Sequence, residues 1–169
     1  GIPVSVMDAS YVTCMRTGAA GALGVDLLAR QDAKHLFILG AGKQAPFQIA
    51  ATLLLRPAIE KVYIADPVAP ENAVKFAAQI RQQLADDFGI DASGVTFEAA
   101  LDMAAAVGDS DAIITVTPSR KPIIRKEWLK PGTHLSCLGS DMESKQEIES
   151  EIFQGAAIYA DDRAQCIRV

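Results

Sequence analysis

From position 33 onward, short apolar runs of strand length alternate with longer stretches whose apolar residues recur every three or four positions. That alternation is the signature of βαβ units and a parallel sheet. A first strand is expected at 36–40, and the helix after it carries Phe47, Ile49, Ala50, Leu53 and Leu54 until Pro57 stops it. A second strand is expected at 62–66. Beyond Pro67 and Pro70, Phe76, Ile80, Leu84 and Phe88 repeat every four residues, with Gln82, Gln83, Asp86 and Asp87 on the wet side. Gly89 closes that helix. A weaker third strand at 95–98 leads into an alanine-rich helix near 101–107, and a strongly apolar fourth strand at 112–116 ends in the Pro118-Ser119 turn. A fifth strand is expected at 134–139. Ser144 with Glu147 forms a capping-box pattern that would open a helix running to Phe153, and a sixth strand is expected at 157–160. Six strands with helices on both faces make a doubly wound α/β sheet, a Rossmann fold, whose ligand crevice lies at the carboxyl ends of the strands.

Positions 1–32 stand outside that alternation. Thr17 can cap a helix running to about Arg30, and Gly18, Gly21 and Ala22 give it a face of small residues suited to close packing. Residues 1–13 read as extended chain with no partner strand nearby, the remnant of a further domain, which leaves 14–169 as the nucleotide-binding domain. The 169 residues, half of them apolar, suffice for one core of ordinary size. A net charge of −5 without any basic run argues against nucleic acid as a partner. The longest nearly apolar stretch, 49–55, is too short to span a bilayer, so no membrane partner and a soluble, cytoplasmic protein are expected. Cys14, Cys137 and Cys166 are widely spaced, which fits neither a disulfide framework nor a metal site.

The segment Gly40-Ala41-Gly42-Lys43-Gln44-Ala45 is G-x-G-x-x-A set between an expected strand and an expected helix. The first glycine permits the tight turn, and the second lets the backbone approach a pyrophosphate. The small Ala45 lets the helix pack near the strand, and the helix start offers free N–H groups and the positive end of its dipole. Asp66 ends the second expected strand, where a carboxylate can accept both ribose hydroxyls of an adenosine. No Arg or Lys follows before Lys75, so a ribose 2′-phosphate would find no cation and NAD is favoured over NADP. Two alternatives stay open at this point. Asp66 before Pro67 can simply open a turn, and a nucleoside-binding methyltransferase would also use an acid there.

The elements Met7-Asp8-Ala9, Arg16-Thr17-Gly18-Ala19-Ala20, the phosphate loop, Thr115-Val116-Thr117-Pro118-Ser119, Pro131-Gly132-Thr133-His134 and Gly139-Ser140-Asp141 through Lys145-Gln146-Glu147 occur in this order. Together they resemble the ornithine cyclodeaminase/mu-crystallin family, over essentially the whole chain. The resemblance implies an NAD-dependent enzyme that moves hydride to and from the α-carbon of an L-amino acid. Ornithine cyclodeaminase-type cyclisation to proline is its first expectation. Alanine dehydrogenase or ketimine reductase is the alternative, and a non-catalytic dinucleotide-binding protein is the alternative of another class. It also implies about twice this length, with substrate-binding and dimerisation segments on either side and a homodimer formed through them, so that the present chain alone binds cofactor and turns over little.

Residue by residue, the resemblance makes Arg16 the grip on the substrate carboxylate and Thr17 a neighbour of the cofactor. A guanidinium suits the first role, because it can hold a carboxylate bidentately. Asp141 matches the catalytic aspartate, and the strand pattern separately puts it just past the fifth strand, at the crevice. A carboxylate there can take and return protons at the substrate nitrogen. Lys145 matches a lysine near the cofactor. Thr115, Thr117, Pro118, Ser119 and Gly139 are expected to line the cofactor beside Gly40, Ala41, Gly42, Lys43, Gln44 and Asp66.

Overall fold

The computed structural model describes residues 1–167. Five strands, β1 (His35–Leu39), β2 (Lys61–Ala65), β3 (Thr96–Ala99), β4 (Ala112–Thr115) and β5 (His134–Cys137), form one parallel sheet in the order β3-β2-β1-β4-β5. Leu39 pairs with both Ala65 and Thr115, and Thr115 with Cys137, so four strands end level at their carboxyl ends. The strand order reverses between β1 and β4, with β2 and β3 added on one side and β4 and β5 on the other, and this is the switch point where a doubly wound sheet opens its crevice.

The strands are apolar on both sides because both faces are covered. Leu36 and Ile38 of β1 pack toward α1 (Ser10–Leu28), α2 (Ala45–Leu55) and α3 (Pro70–Phe88), against Val25, Ile49, Ile80 and Leu84. Phe37 and Leu39 face the other way. They meet Ala106 and Val107 of α4 (Met103–Asp109), together with Ile124, Ile148 and Ile152 from the segments that follow β4 and β5. Gly89 ends α3 as its position predicts, with φ 66° and its N–H on the Ala85 carbonyl at 3.1 Å. A last helix, α5 (Arg163–Cys166), is a single turn.

Three expectations fail. The sheet has five strands among the described residues, not six: the 3-10 turn Ser150–Phe153 is followed by Gly155 at φ 89°, and residues 156–160 pair with no strand among the described residues. β-propensity at Ile158 and Tyr159 does not make a strand without a partner edge, and both side chains are exposed. No helix runs from Ser144 to Phe153, because Ser144 sits at φ 70° and Glu147 turns its carboxylate into the sheet instead of back to a helix start. Finally, α1 begins at Ser10, with the Asp8 carboxylate accepting the Ser10 N–H at 2.8 Å, so residues 10–13, expected as extended chain, are helical, and Thr17 lies mid-helix and caps nothing.

Candidate functional site

The loop between β1 and α2 closes one side of the switch-point crevice. Gly40 has φ 116° and donates its N–H to the Ala65 carbonyl at 2.8 Å; a Cβ there would stand 3.2 Å from both Thr117 Cγ2 and the Val116 carbonyl. Only glycine combines that backbone with that proximity. Gly42, by contrast, faces open space, which leaves its backbone approachable. The N–H groups of Gly42, Lys43 and Gln44 donate to no acceptor among the described residues. Gln44 Oε1 is buried with no hydrogen-bond partner among the described residues. The unspent amides at the start of an eleven-residue helix make a seat for an anion. Ala45 is wholly buried, so the helix does pack close to the strand, while Ala41 is half-buried and Lys43 exposed.

Asp66 follows β2 and is half-buried. Its Oδ1 accepts the N–H groups of Val68 at 3.1 Å and Ala69 at 3.0 Å, so the carboxylate does organise the turn into α3. Its Oδ2 meets the Asn72 side-chain amide at 3.3 Å, a long bond that leaves this oxygen further lone-pair capacity.

Across the crevice, the segments after β4 and β5 are tied together by Glu147. One carboxylate oxygen takes the Thr117 N–H at 2.6 Å and its hydroxyl at 2.7 Å; the other takes the Thr115 hydroxyl at 2.6 Å and the Gly139 N–H at 3.0 Å. The hydroxyls of Thr115 and Thr117 are thus spent on Glu147, and both residues are buried. Pro118 is exposed beside them. Ser119 donates its hydroxyl to the Lys121 carbonyl at 2.8 Å and accepts the Gln146 N–H on its own carbonyl at 2.9 Å.

Asp141 and Lys145 form an ion pair at 2.5 Å, with Asp141 largely exposed and the lysine largely covered. Hydrogen bonding from Lys145 pulls the Asp141 carboxyl below its ordinary value, outweighing a small effect of burial, and the charge of Arg16 works in the same direction. The left-handed turn at Ser144 is what folds Lys145 back onto Asp141. Arg16 is exposed on α1, one residue before Thr17, whose carbonyl accepts the buried Gln48 side chain of α2 at 2.9 Å. Helix α1 is thereby fastened next to the phosphate loop, and the Arg16 charge reaches a carboxylate that follows β5. Sequence reasoning missed Glu147 and Gln48 as parts of the site; the capping-box spacing from Ser144 accounted for Glu147 too readily, and Gln48 carries no motif.

The sequence matches the profile of the ornithine cyclodeaminase/mu-crystallin family over residues 1–168. It is 36% identical over 165 residues to the alanine dehydrogenase of Archaeoglobus fulgidus, covering 98% of this chain and 47% of that one. Among solved structures, an archaeal alanine dehydrogenase dimer with bound NAD superimposes with a TM-score of 0.81 at 36% identity, covering 98% of this chain and 48% of that one. The Δ1-pyrroline-2-carboxylate reductase of Thermococcus litoralis, in complex with NADH and L-proline, gives 0.78 at 34% identity, covering 90% and 44%. The chain spans about half the length of the relatives it matches. Profile, sequence identity and superposition agree: the chain belongs to the ornithine cyclodeaminase/mu-crystallin family.

Proposed function

We propose that this chain is the NAD-binding part of an enzyme that moves hydride between a nicotinamide dinucleotide and the α-carbon of an amino acid or its imine. The observation that carries the reading is the meeting of a carboxylate held ionised (Asp141) and two cations (Lys145 and Arg16) across the crevice from the unspent amides of the phosphate loop. The amides of Gly42, Lys43 and Gln44 would hold the pyrophosphate, and Asp66 Oδ2 the adenosine ribose. With no cation between Asp66 and Lys75, NAD is preferred to NADP. Bound nicotinamide supplies the hydride acceptor or donor.

The chain's own residues do the rest. Arg16, exposed and unpaired with any carboxylate at bonding distance among the described residues, grips the substrate carboxylate. Asp141, held as its anion by Lys145, takes a proton from the substrate ammonium. The nitrogen lone pair so freed can form the C=N bond as the α-carbon gives up hydride, and the reverse sequence returns the proton. Water then releases a keto acid and ammonia in a dehydrogenase, whereas a side-chain amine attacks the imine in a cyclodeaminase.

Similarity to an alanine dehydrogenase and a pyrroline-carboxylate reductase gives dehydrogenase or reductase chemistry more support than cyclisation of ornithine. The complete protein, incubated with NAD and L-alanine or with NADH and a cyclic imine, should change absorbance at the reduced-nicotinamide band. Redox-neutral ammonia release from ornithine would transfer the assignment to the cyclodeaminases. Binding of NADH without reaction toward any amino acid or cyclic imine would overturn the enzymatic reading.

A further inference from the structure

Glu147 is a carboxylate with 1% of its surface exposed, and no Lys, Arg or His among the described residues stands within ion-pair distance of it. Burying such a group costs several kcal/mol unless its oxygens are fully hydrogen-bonded. They are: two backbone N–H groups and two threonine hydroxyls converge on the two oxygens, at 2.6 to 3.0 Å. Residues of the same volume and no charge would fill the space more cheaply, so the arrangement calls for a reason beyond packing. The donors supply it, because they come from two different loops. Thr115 ends β4 and Thr117 follows it, and Gly139 follows β5, two residues before Asp141. The Glu147 backbone carbonyl takes the N–H groups of Ile123 and Ile124 at 2.8 and 3.0 Å, and Lys145 lies two residues upstream. The interlock is tight, for a Cβ at Gly139 would collide with both the Thr117 carbonyl and the Glu147 carboxylate.

We infer that Glu147 is a positioning residue: its carboxylate clamps the loop after β4 to the loop after β5 and so sets where Asp141 and Lys145 stand at the nicotinamide end of the crevice. The inference rests on the function proposed above. A carboxylate is required because it accepts at every lone pair. Glu147→Gln must turn an NH2 group toward one pair of donors. A threonine hydroxyl can rotate to accept it, but the N–H of Gly139 or of Thr117 cannot, and one loop is released.

The test has two arms in the complete protein. By amide hydrogen exchange, Glu147→Gln should speed exchange at Gly139 or Thr117 while leaving Ile113 and Ile114 within β4 as slow as in the wild type. In turnover, kcat should fall by about 10-fold or more with NADH affinity held within about threefold, the signature of lost orientation rather than lost binding. The acid limb of the kcat/KM profile should move to higher pH as Lys145 loosens from Asp141. Thr115→Val should show a smaller loss of kcat and Thr115→Ser should restore it, which keeps the test readable if Glu147→Gln folds poorly. A change in melting temperature alone, with kcat and pH profile of the folded fraction unchanged, overturns the inference. Should the wild type turn over nothing, the enzymatic reading fails. The clamp is then judged by exchange and by bound-NADH emission, which must both shift in Glu147→Gln or the clamp fails too.

Discussion

Lys145 reaches back across one tight turn to hold Asp141 as an anion, and this pair makes the sharpest claim about a single side chain. Asp141→Asn keeps the size and one acceptor but cannot take a proton, so turnover in the complete protein should vanish while NADH affinity stays nearly unchanged. A fully active variant would refute the proton-transfer role. Lys145→Met tests the tuning. Asp141 is depressed chiefly by its bond from Lys145, so removing the lysine raises that carboxyl, and the active anionic form is lost at a higher pH. The acid limb of kcat/KM should therefore move upward in pH; a downward or absent movement contradicts the pairing. Asp66 needs a finer substitution, since its Oδ1 also organises the turn into α3. Asp66→Asn preserves an acceptor for that turn and removes the charge, and should weaken NADH binding by about 10-fold or more, the scale of hydrogen bonds to a charged group. Unchanged affinity in a fluorescence titration would leave the turn as its only role. Motif spacing picks out the glycines of the phosphate loop, whereas Asp141 and Arg16 are expected as site residues on the family resemblance. It could not reveal that Thr115 and Thr117 spend their hydroxyls on Glu147, because burial of a lone carboxylate among threonines is a tertiary fact with no local signal.

Between elements, the seam of α1 with α2 shows how a correct local reading can still place a helix wrongly. The small face at Gly18, Gly21 and Ala22 is indeed buried, and a Cβ at Gly18 would stand 2.7 Å from the Phe47 carbonyl. What the pattern hid is the polar row that meets it: Gln48, Thr52 and Arg56 recur every four residues along α2 and all three are buried. Arg56, just before Pro57, stands at the C-cap of α2. Here its guanidinium crosses to α1 and donates to the carbonyls of Val25 at 3.3 Å, Asp26 at 3.4 Å and Arg30 at 2.6 Å, a cation at the negative end of a helix that has none of its own there. Arg56→Met fills the volume but removes these three bonds, while the Ala29 and Ala33 N–H groups still reach the Val25 and Arg30 carbonyls, and should cost about 1–3 kcal/mol in urea unfolding. Gly18→Ala should cost about 1–3 kcal/mol by forcing the helices apart. Losses under about 0.5 kcal/mol for both would mean that the seam does not hold α1 in place. The missing sixth strand is the converse error. Ile158 and Tyr159 have the right propensity, but a strand exists only where an edge receives it.

Over the molecule as a whole, the two ends of the sheet are built for opposite purposes. The carboxyl end leaves amides and an exposed carboxylate open, whereas the amino end is closed by Asp111, whose carboxylate is satisfied from every side. Arg30 Nη2 and Lys130 Nζ reach its Oδ1 at 2.9 Å each, and the N–H groups of Lys34 and His35 reach Oδ2 at 2.9 and 3.1 Å. Burial by itself would raise this carboxyl, but Lys130 and the two backbone amides outweigh it and bring it down from 3.8 to about 2. A folded-state value below the unfolded one stabilises the fold above the unfolded value, and the benefit disappears as the pH falls through the folded one. The window is therefore from about pH 4 down to about pH 2, and the amount is on the order of 2 kcal/mol. In Asp111→Asn that contribution is absent and an NH2 group faces either two cations or two N–H donors. The variant should be less stable than the wild type at neutral pH by about 2–3 kcal/mol. The gap in unfolding free energy should close as both proteins are acidified toward pH 2. NADH affinity should be unaffected, because the cluster lies at the opposite end of the strands from the phosphate loop. A gap that stays constant across the acid range would mean that Asp111 acts by shape and not by charge, and a parallel loss of NADH binding would mean that the two ends of the sheet are coupled.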